Sequence, residues 1–237
     1  MNVPSPEPRQ WFSAHLEYFG AMYAAWTLEQ LELYNAHHPP ADWSVDVEEG
    51  LFRQGGTTVR VAPLGTLGTD GSWVWAWANE HMHPPGSSRL SAARILYDFG
   101  EKGIPELATP RLELTEFADA GTAAERLLLA VTGMLYGYGY ATVPTDTGAH
   151  YAMLVIDDAL PRPAFDLATL PRRLMQGTEV FPHNHSATVD GYLRRHGFDV
   201  AAANDGTRYA SRPDCTVRTT FDPNGRISDI SAQNTPG

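Results

Sequence analysis

Three tryptophans at alternate positions, Trp73, Trp75 and Trp77, constrain the fold of this chain more than any other feature of its sequence. Alternate side chains of a β-strand point to the same face, so the three indoles would share one face and the small residues between them the other. An Asp-Gly pair shortly before the block suits the positive φ angles of a tight hairpin turn. The pattern predicts a strand over residues 72–79 that is entered from a hairpin and has one bulky face.

We interpret these three rings as part of the core. Each buried ring contributes on the order of 2–3 kcal/mol from its area alone, so a fold rarely leaves three of them exposed without a ligand. At least one indole N–H then needs an acceptor, which Asn79 or a nearby backbone carbonyl can supply. The alternative is an aromatic platform formed by the three tryptophans and Asn79, on which a sugar, base or other planar ligand stacks.

The patterns around the block predict an α+β fold with a mainly antiparallel sheet covered by helices. Apolar residues recur at helical spacing over 10–36, 87–100 and 121–136. Alternating or continuous apolar runs predict the strands, which include Trp43, Val59, Trp73 and Tyr151.

A segment with two prolines, Pro161 to Pro163, predicts a boundary near the end of this sheet. Beyond it, a helix capped by Ser186 and a hairpin that turns at 222–225 predict a small helix-plus-β-hairpin unit. We therefore expect three segments: a loose N-terminal leader (1–9), an α+β domain (10–160) and a C-terminal unit (164–237). The alternative is that the C-terminal unit extends the core of the α+β domain.

The charge balance argues against several partners. The chain has 28 acidic and 17 basic residues and a formal net charge of −11, so binding to nucleic acid is not expected. The sequence has no apolar run of membrane-spanning length and no basic stretch followed by an apolar one at its N-terminus, so neither a membrane partner nor secretion is expected. A single cysteine, Cys215, excludes an internal disulfide and, with these features, predicts a cytoplasmic protein.

The block GTLGTDGSWVWAWAN at 65–79, with a long aromatic helix before it and a capped helix after it, resembles a family of actinobacterial proteins catalogued only as a domain of unknown function. Members of that family carry a Gly-Thr, a turn and a Trp-x-Trp-Ala-Trp-Ala-Asn block. The resemblance covers roughly residues 10–160. It implies no catalytic residue, because none is assigned in the family, and it leaves the function open.

Histidines supply the best candidates for a metal site. His183 and His185 form an H-x-H pair, His196 lies one helix further on, and Asp190 would add a carboxylate. No H-E-x-x-H or C-x-x-C pattern accompanies them, so we interpret them as solvated polar residues and predict no cofactor.

Other catalytic patterns are weaker still. Asp157 and Asp158 close the apolar strand, a position at which α/β enzymes often place acids, but the sequence does not show whether they converge with other groups. The chain has no G-x-S-x-G motif, and no histidine lies near Cys215 in sequence.

Strong fold signals without catalytic signatures favour a non-catalytic binding or interaction module whose acidic surface attracts a basic partner. The partner would be a protein or a small molecule. Two alternatives stay open: a hydrolase with a histidine and carboxylate cluster, with or without a divalent metal, and a small-ligand carrier that uses the tryptophan face.

Overall fold

The computed structural model describes residues 7–80, 82–83 and 87–234 of the chain. Six helices are present in this part: α1 (Ala14–His37), α2 (Ser91–Glu101), α3 (Pro105–Ala108), α4 (Ala120–Met134), α5 (Leu170–Val180) and α6 (His185–Arg195). None of these described helices has both the length and the apolar content needed to cross a bilayer. The strands in the same ranges are β1 (Trp43–Asp46), β2 (Leu51–Gln54), β3 (Thr57–Leu67), β4 (Ser72–Trp75), β5 (Arg111–Glu113), β6 (Gly139–Pro144), β7 (His150–Val155), β8 (Asp199–Ala202), β9 (Arg208–Arg212), β10 (Cys215–Phe221) and β11 (Ile227–Asn234).

The strands form two sheets, and every strand pair in them is antiparallel. In the seven-stranded sheet the order is β1-β2-β3-β4-β5, and β7 pairs with both β3 and β6. The four-stranded sheet has the order β11-β10-β9-β8. The predicted α+β class with a mainly antiparallel sheet is therefore confirmed.

The tryptophan strand is shorter than predicted. A turn that includes Gly71, with φ +76°, connects β3 to β4, as the Asp-Gly pair indicated. β4 ends at Trp75, and the next three residues form a 3-10 turn. The cause lies in the partner strand, because Trp75 N donates to Pro110 O at 3.2 Å and proline has no N–H with which to continue the ladder. Trp77 therefore lies outside the strand.

Helix α1 lies at the centre of the molecule. It packs against α4, α5 and α6, so it is more enclosed than the predicted helix lying on a sheet. Its Leu16 belongs to a buried cluster that also contains Leu64 and Leu154 of the large sheet. Its Trp26 belongs to a second cluster, formed with residues of α5, α6 and the small sheet. Helix α1 thus contributes residues to both buried clusters.

The C-terminal unit is larger than the predicted helix and hairpin. It contains two helices and four strands. The strands β8 and β9 were not predicted, because their sequences are short and alternate only weakly. The N-cap of α6 is Asn184, so the prediction that Ser186 caps this helix is wrong. Residues 235–237 lie outside the described part. The Trp26 cluster shows that the core of this unit includes one side of α1.

The predicted N-terminal leader falls only partly within the described residues, because 1–6 lie outside them. Arg9 N donates to Glu116 O at 2.6 Å, and Ala118 N donates to Arg9 O at 3.3 Å. This pairing holds the chain just before α1 against the segment that leads into α4.

Candidate functional site

The tryptophans of the sequence block lie mainly in the core. Trp73 is 1% exposed and Trp75 is fully buried, and their ring centroids are 5.4 Å apart in an edge-to-face contact. Trp75 Nε1 donates to the backbone oxygen of Glu106 at 2.9 Å. Trp77 is half-buried and its ring contacts Tyr97. Trp73 and Trp75 therefore have no free face on which a ligand could stack.

Asn79 does not hold an indole in the described structure. Its backbone oxygen accepts from His83 N at 3.0 Å and from Met82 N at 3.2 Å, so it ends the 3-10 turn. Within the described residues the N–H groups of Trp73 and Trp77 have no acceptor.

The three candidate metal-binding histidines make separate contacts. His183 packs edge-on against the ring of Trp11, and His185 Nδ1 accepts from Ile227 N at 3.2 Å. His196 Nε2 forms a hydrogen bond with Glu29 Oε2 at 2.9 Å. In the part of the chain that the structure describes, no three His, Cys, Asp or Glu side chains are placed to hold one metal ion.

We expect a chelator to leave the thermal midpoint of the protein unchanged, because His183, His185 and His196 are each engaged elsewhere. Calorimetry with and without EDTA measures the midpoint, and elemental analysis of untagged protein measures the metal content. Stoichiometric zinc or manganese, or a midpoint lowered by EDTA, would contradict this expectation.

The histidine–carboxylate pair that does form was not predicted from the sequence. The side chains of Glu29 and His196 are 7% and 3% exposed, and Arg173 Nε lies 3.4 Å from the second oxygen of Glu29. The rings of Phe165 and Tyr192 enclose the imidazole of His196. The pair links α1 to α5 and α6, and its imidazole is enclosed away from solvent.

A more accessible candidate is a cleft of about 570 Å³ between the chain that precedes α1, the first half of α4 and the end of α5. We call it the Trp11 cleft. Its apolar walls consist of Trp11, Phe117, Ala118, Ala123, Leu129 and Val180. A cavity of this volume and lining is typical of ligand or side-chain binding sites in proteins.

Arg126, which lines the Trp11 cleft, belongs to a buried ion pair. Arg126 Nη2 donates to both carboxylate oxygens of Glu17 at 2.7 Å, and the two side chains are 10% and 6% exposed. The guanidinium carbon lies 4.7 Å from the ring centroid of Trp11 and 4.9 Å from that of Phe181. Burial raises the pKa of Glu17 above its ordinary value, while the charge of Arg126 acts in the opposite direction. Among the described residues Arg126 Nε has no hydrogen-bond partner.

The remaining charges of the cleft are negative. Asp119, Glu125 and Glu179 line it, are exposed, and form no ion pair with any residue that the structure describes. The N–H of Thr122 lowers the pKa of Asp119, which keeps this carboxylate ionised. The other cation of the cleft, Arg9, lies 3.5 Å from Glu116 and 4.0 Å from Glu106. Both arginines are thus matched by acids, and three carboxylates are left over.

The sequence does not reveal this cleft, because its residues come from three distant segments, 9–11, 117–129 and 179–180. One signal was available. Arg126 lies among apolar residues of a predicted helix, and Glu17 lies among those of another. Charges on two apolar helix faces indicate a buried pair, although the sequence does not show that the two faces meet.

Comparison with protein families identifies one match. The model described as "Family of unknown function (DUF6882)" matches residues 17–159, which is more than half of the chain. The chain belongs to this family. The expected membership of a family of unknown function is thereby confirmed. The DUF6882 region runs from Glu17 to just beyond β7, so it includes both partners of the buried ion pair but not Trp11 or the C-terminal unit. Searches of the curated proteins and of the solved structures find no match.

Proposed function

We propose that this protein is a non-catalytic binding module and that its Trp11 cleft receives an apolar side chain of a positively charged protein partner. One observation carries the proposal: the cleft has apolar walls, and its charges without an ionic partner in the described structure are all carboxylates.

The apolar part of the cleft supplies the binding energy. Each fully buried aliphatic or aromatic side chain contributes roughly 1.5–3 kcal/mol. The ring of Trp11 is held in place by Arg126 on one side and His183 on another, so the wall is formed before a partner binds. A pre-formed wall reduces the entropy lost on binding.

The carboxylates of the cleft select the partner by charge. Asp119, Glu125 and Glu179 surround an apolar surface on a chain whose formal net charge is −11. Their field attracts lysine and arginine side chains next to the inserted residue and accelerates the encounter at low ionic strength. An acidic partner would be repelled.

The proposal predicts binding to short basic peptides that carry one apolar residue. Three labelled peptides are titrated with the full chain at low and high salt. The first has a central phenylalanine between lysines, the second has alanine in place of the phenylalanine, and the third has glutamates in place of the lysines. Fluorescence anisotropy measures the affinity. We expect the lysine–phenylalanine peptide to bind most tightly and its affinity to decrease with salt.

The variant Glu125→Gln/Glu179→Gln locates the binding site. We expect it to bind the lysine–phenylalanine peptide about three- to tenfold more weakly at low salt, because each exposed ion pair contributes up to about 1 kcal/mol. Glu48→Gln/Asp146→Asn removes the same charge from exposed positions elsewhere and serves as the control. Equal affinities of the two double variants, or no binding of the basic peptides at low salt, would contradict the proposal.

The two alternatives have less support. A carrier that uses the tryptophan face would need exposed rings, and Trp73 and Trp75 are buried. A hydrolase that uses the Glu29–His196 pair would need an accessible imidazole, and the side chain of His196 is 3% exposed. A cytoplasmic location is also part of our proposal and is supported by the buried free thiol of Cys215. An actinobacterial origin stays a prediction.

A further inference from the structure

The C-terminal sheet has one covered face and one open face. Ala210 and Val217 are buried on the covered face in the same cluster as Val189 and Leu193 of α6. The open face forms a shallow groove of about 570 Å³. The strand register places its side chains in two rows across the four strands: Asp199, Ser211, Thr216 and Gln233 in one row, and Ala201, Tyr209, Arg218 and Ser231 in the other.

The side chains of this open face differ from those of an apolar docking surface. Seven of the eight carry hydrogen-bonding groups, and the eighth is Ala201. Tyr209 is 49% exposed, which makes its ring available for stacking. A polar face with one exposed aromatic ring suits a ligand that has both a flat C–H surface and many hydroxyl groups.

The charge at the centre of the groove is positive. Arg218 lies directly opposite Tyr209 in the register of β9 and β10, and it is exposed. Its guanidinium forms no hydrogen bond or ion pair with any other residue in the described ranges. Two carboxylates lie in the surroundings: Asp205 feels the charge of Arg218 without bonding to it, and Asp199 lines the groove on the edge strand β8. The guanidinium therefore keeps its hydrogen-bond donors for an anionic group of a ligand.

We propose that this open face binds an acidic saccharide. The sugar ring stacks on Tyr209, its carboxylate pairs with Arg218, and its hydroxyl groups bond to the serine, threonine and glutamine side chains of the two rows. The site is separate from the Trp11 cleft, because the groove is lined by β8–β11 and the cleft by α4, α5 and the chain before α1.

The ¹⁵N-labelled full chain is titrated with digalacturonate, with the neutral disaccharide maltose and with sodium acetate, and the shifts of its amide NMR signals are measured. We expect digalacturonate to shift amide signals of β8–β11, maltose to shift them more weakly and acetate to leave them unchanged. Tyr209→Ala should weaken digalacturonate binding about tenfold or more, and Arg218→Met should remove the preference for the acidic sugar over maltose. Tyr18→Ala and Arg94→Met change exposed residues of the same types elsewhere and should bind digalacturonate as the unmodified protein does.

Several outcomes would overturn the proposal. Absence of shifts on β8–β11 with millimolar digalacturonate would exclude the site, and unchanged affinity in Tyr209→Ala and Arg218→Met would place the ligand elsewhere. Equal binding of acetate would show a simple anion site without sugar recognition. Tighter binding of a single-stranded oligonucleotide than of digalacturonate would assign the face to a different class of ligand.

Discussion

Gly191→Ala is expected to lower the free energy of unfolding by about 3 kcal/mol or more. Gly191 lies in α6 where this helix approaches the backbone of α1, and an alanine Cβ would overlap the carbonyl oxygen of Met22. The obstacle is backbone, so relief requires the two helices to separate. Helix propensity alone predicts the opposite sign, because alanine in a helix is about 1 kcal/mol more favourable than glycine.

Chemical denaturation measures this change, and calorimetry should show a decrease in the thermal midpoint of about 6–12 °C. Gly121→Ala in α4 is the matched control, because the nearest atom to its new Cβ is Asp119 Oδ1 at 3.4 Å, an ordinary contact. We expect this control to be neutral or slightly stabilising. If Gly191→Ala were as stable as the control, α6 would not be seated on α1, and the C-terminal unit would be a separate domain.

Arg126→Met is expected to destabilise the protein by about 3–5 kcal/mol at neutral pH, because it leaves the carboxylate of Glu17 buried without a cation. Burial raises the pKa of Glu17 above its ordinary value, so folding disfavours the ionised carboxyl relative to the unfolded chain, and loss of Arg126 removes the charge that opposes this effect. Below the pKa of the unfolded chain Glu17 is neutral in both states, and the penalty develops as the pH rises above that value. The loss in Arg126→Met should therefore be largest at neutral pH and smaller in acid, as denaturation at several pH values would show.

Glu17→Leu/Arg126→Met separates loss of charge pairing from loss of packing. We expect the double variant to recover most of the stability, since apolar side chains of similar volume often replace a buried ion pair without cost. Arg60→Met is the surface comparison, because its partner Asp158 is exposed and the pair is screened by water. A double variant as unstable as Arg126→Met would indicate that the packing around Trp11, and not the charge, determines the loss.

Local sequence patterns predicted elements correctly where the determining interactions are local. The long α1 follows from its apolar spacing, and α4 begins after Asp119, whose side chain accepts from Thr122 N at 2.5 Å. Prediction failed where a distant partner decided the outcome. Strand β4 ends at Trp75 because its partner there is Pro110. The short segments β8 and β9 are strands because β8 pairs with β9 and β9 pairs with β10.

The candidate sites were even less predictable than the strands. The histidine spacing favoured His183, His185 and His196 as metal ligands, yet the structure gives each of them a different partner. Arg126, Tyr209 and Arg218 belong to no recognisable motif, so the sequence does not mark them. Only their surroundings in the folded chain make these three residues candidates: Arg126 pairs with Glu17 beside the ring of Trp11, and the exposed Tyr209 and Arg218 lie opposite each other on the open sheet face.

The sequence by itself determined the α+β class, the long first helix, the hairpin before the tryptophans and the burial of two of the three indoles. These follow from periodicity, turn chemistry and apolar area, which act over a few residues at a time. Only the tertiary structure decided that Glu17 pairs with Arg126, 109 residues away, and Glu29 with His196, 167 residues away. A buried charge needs a partner, but packing of the helices selects which one, because the interaction energy depends on the distance between the two groups and on the exclusion of water.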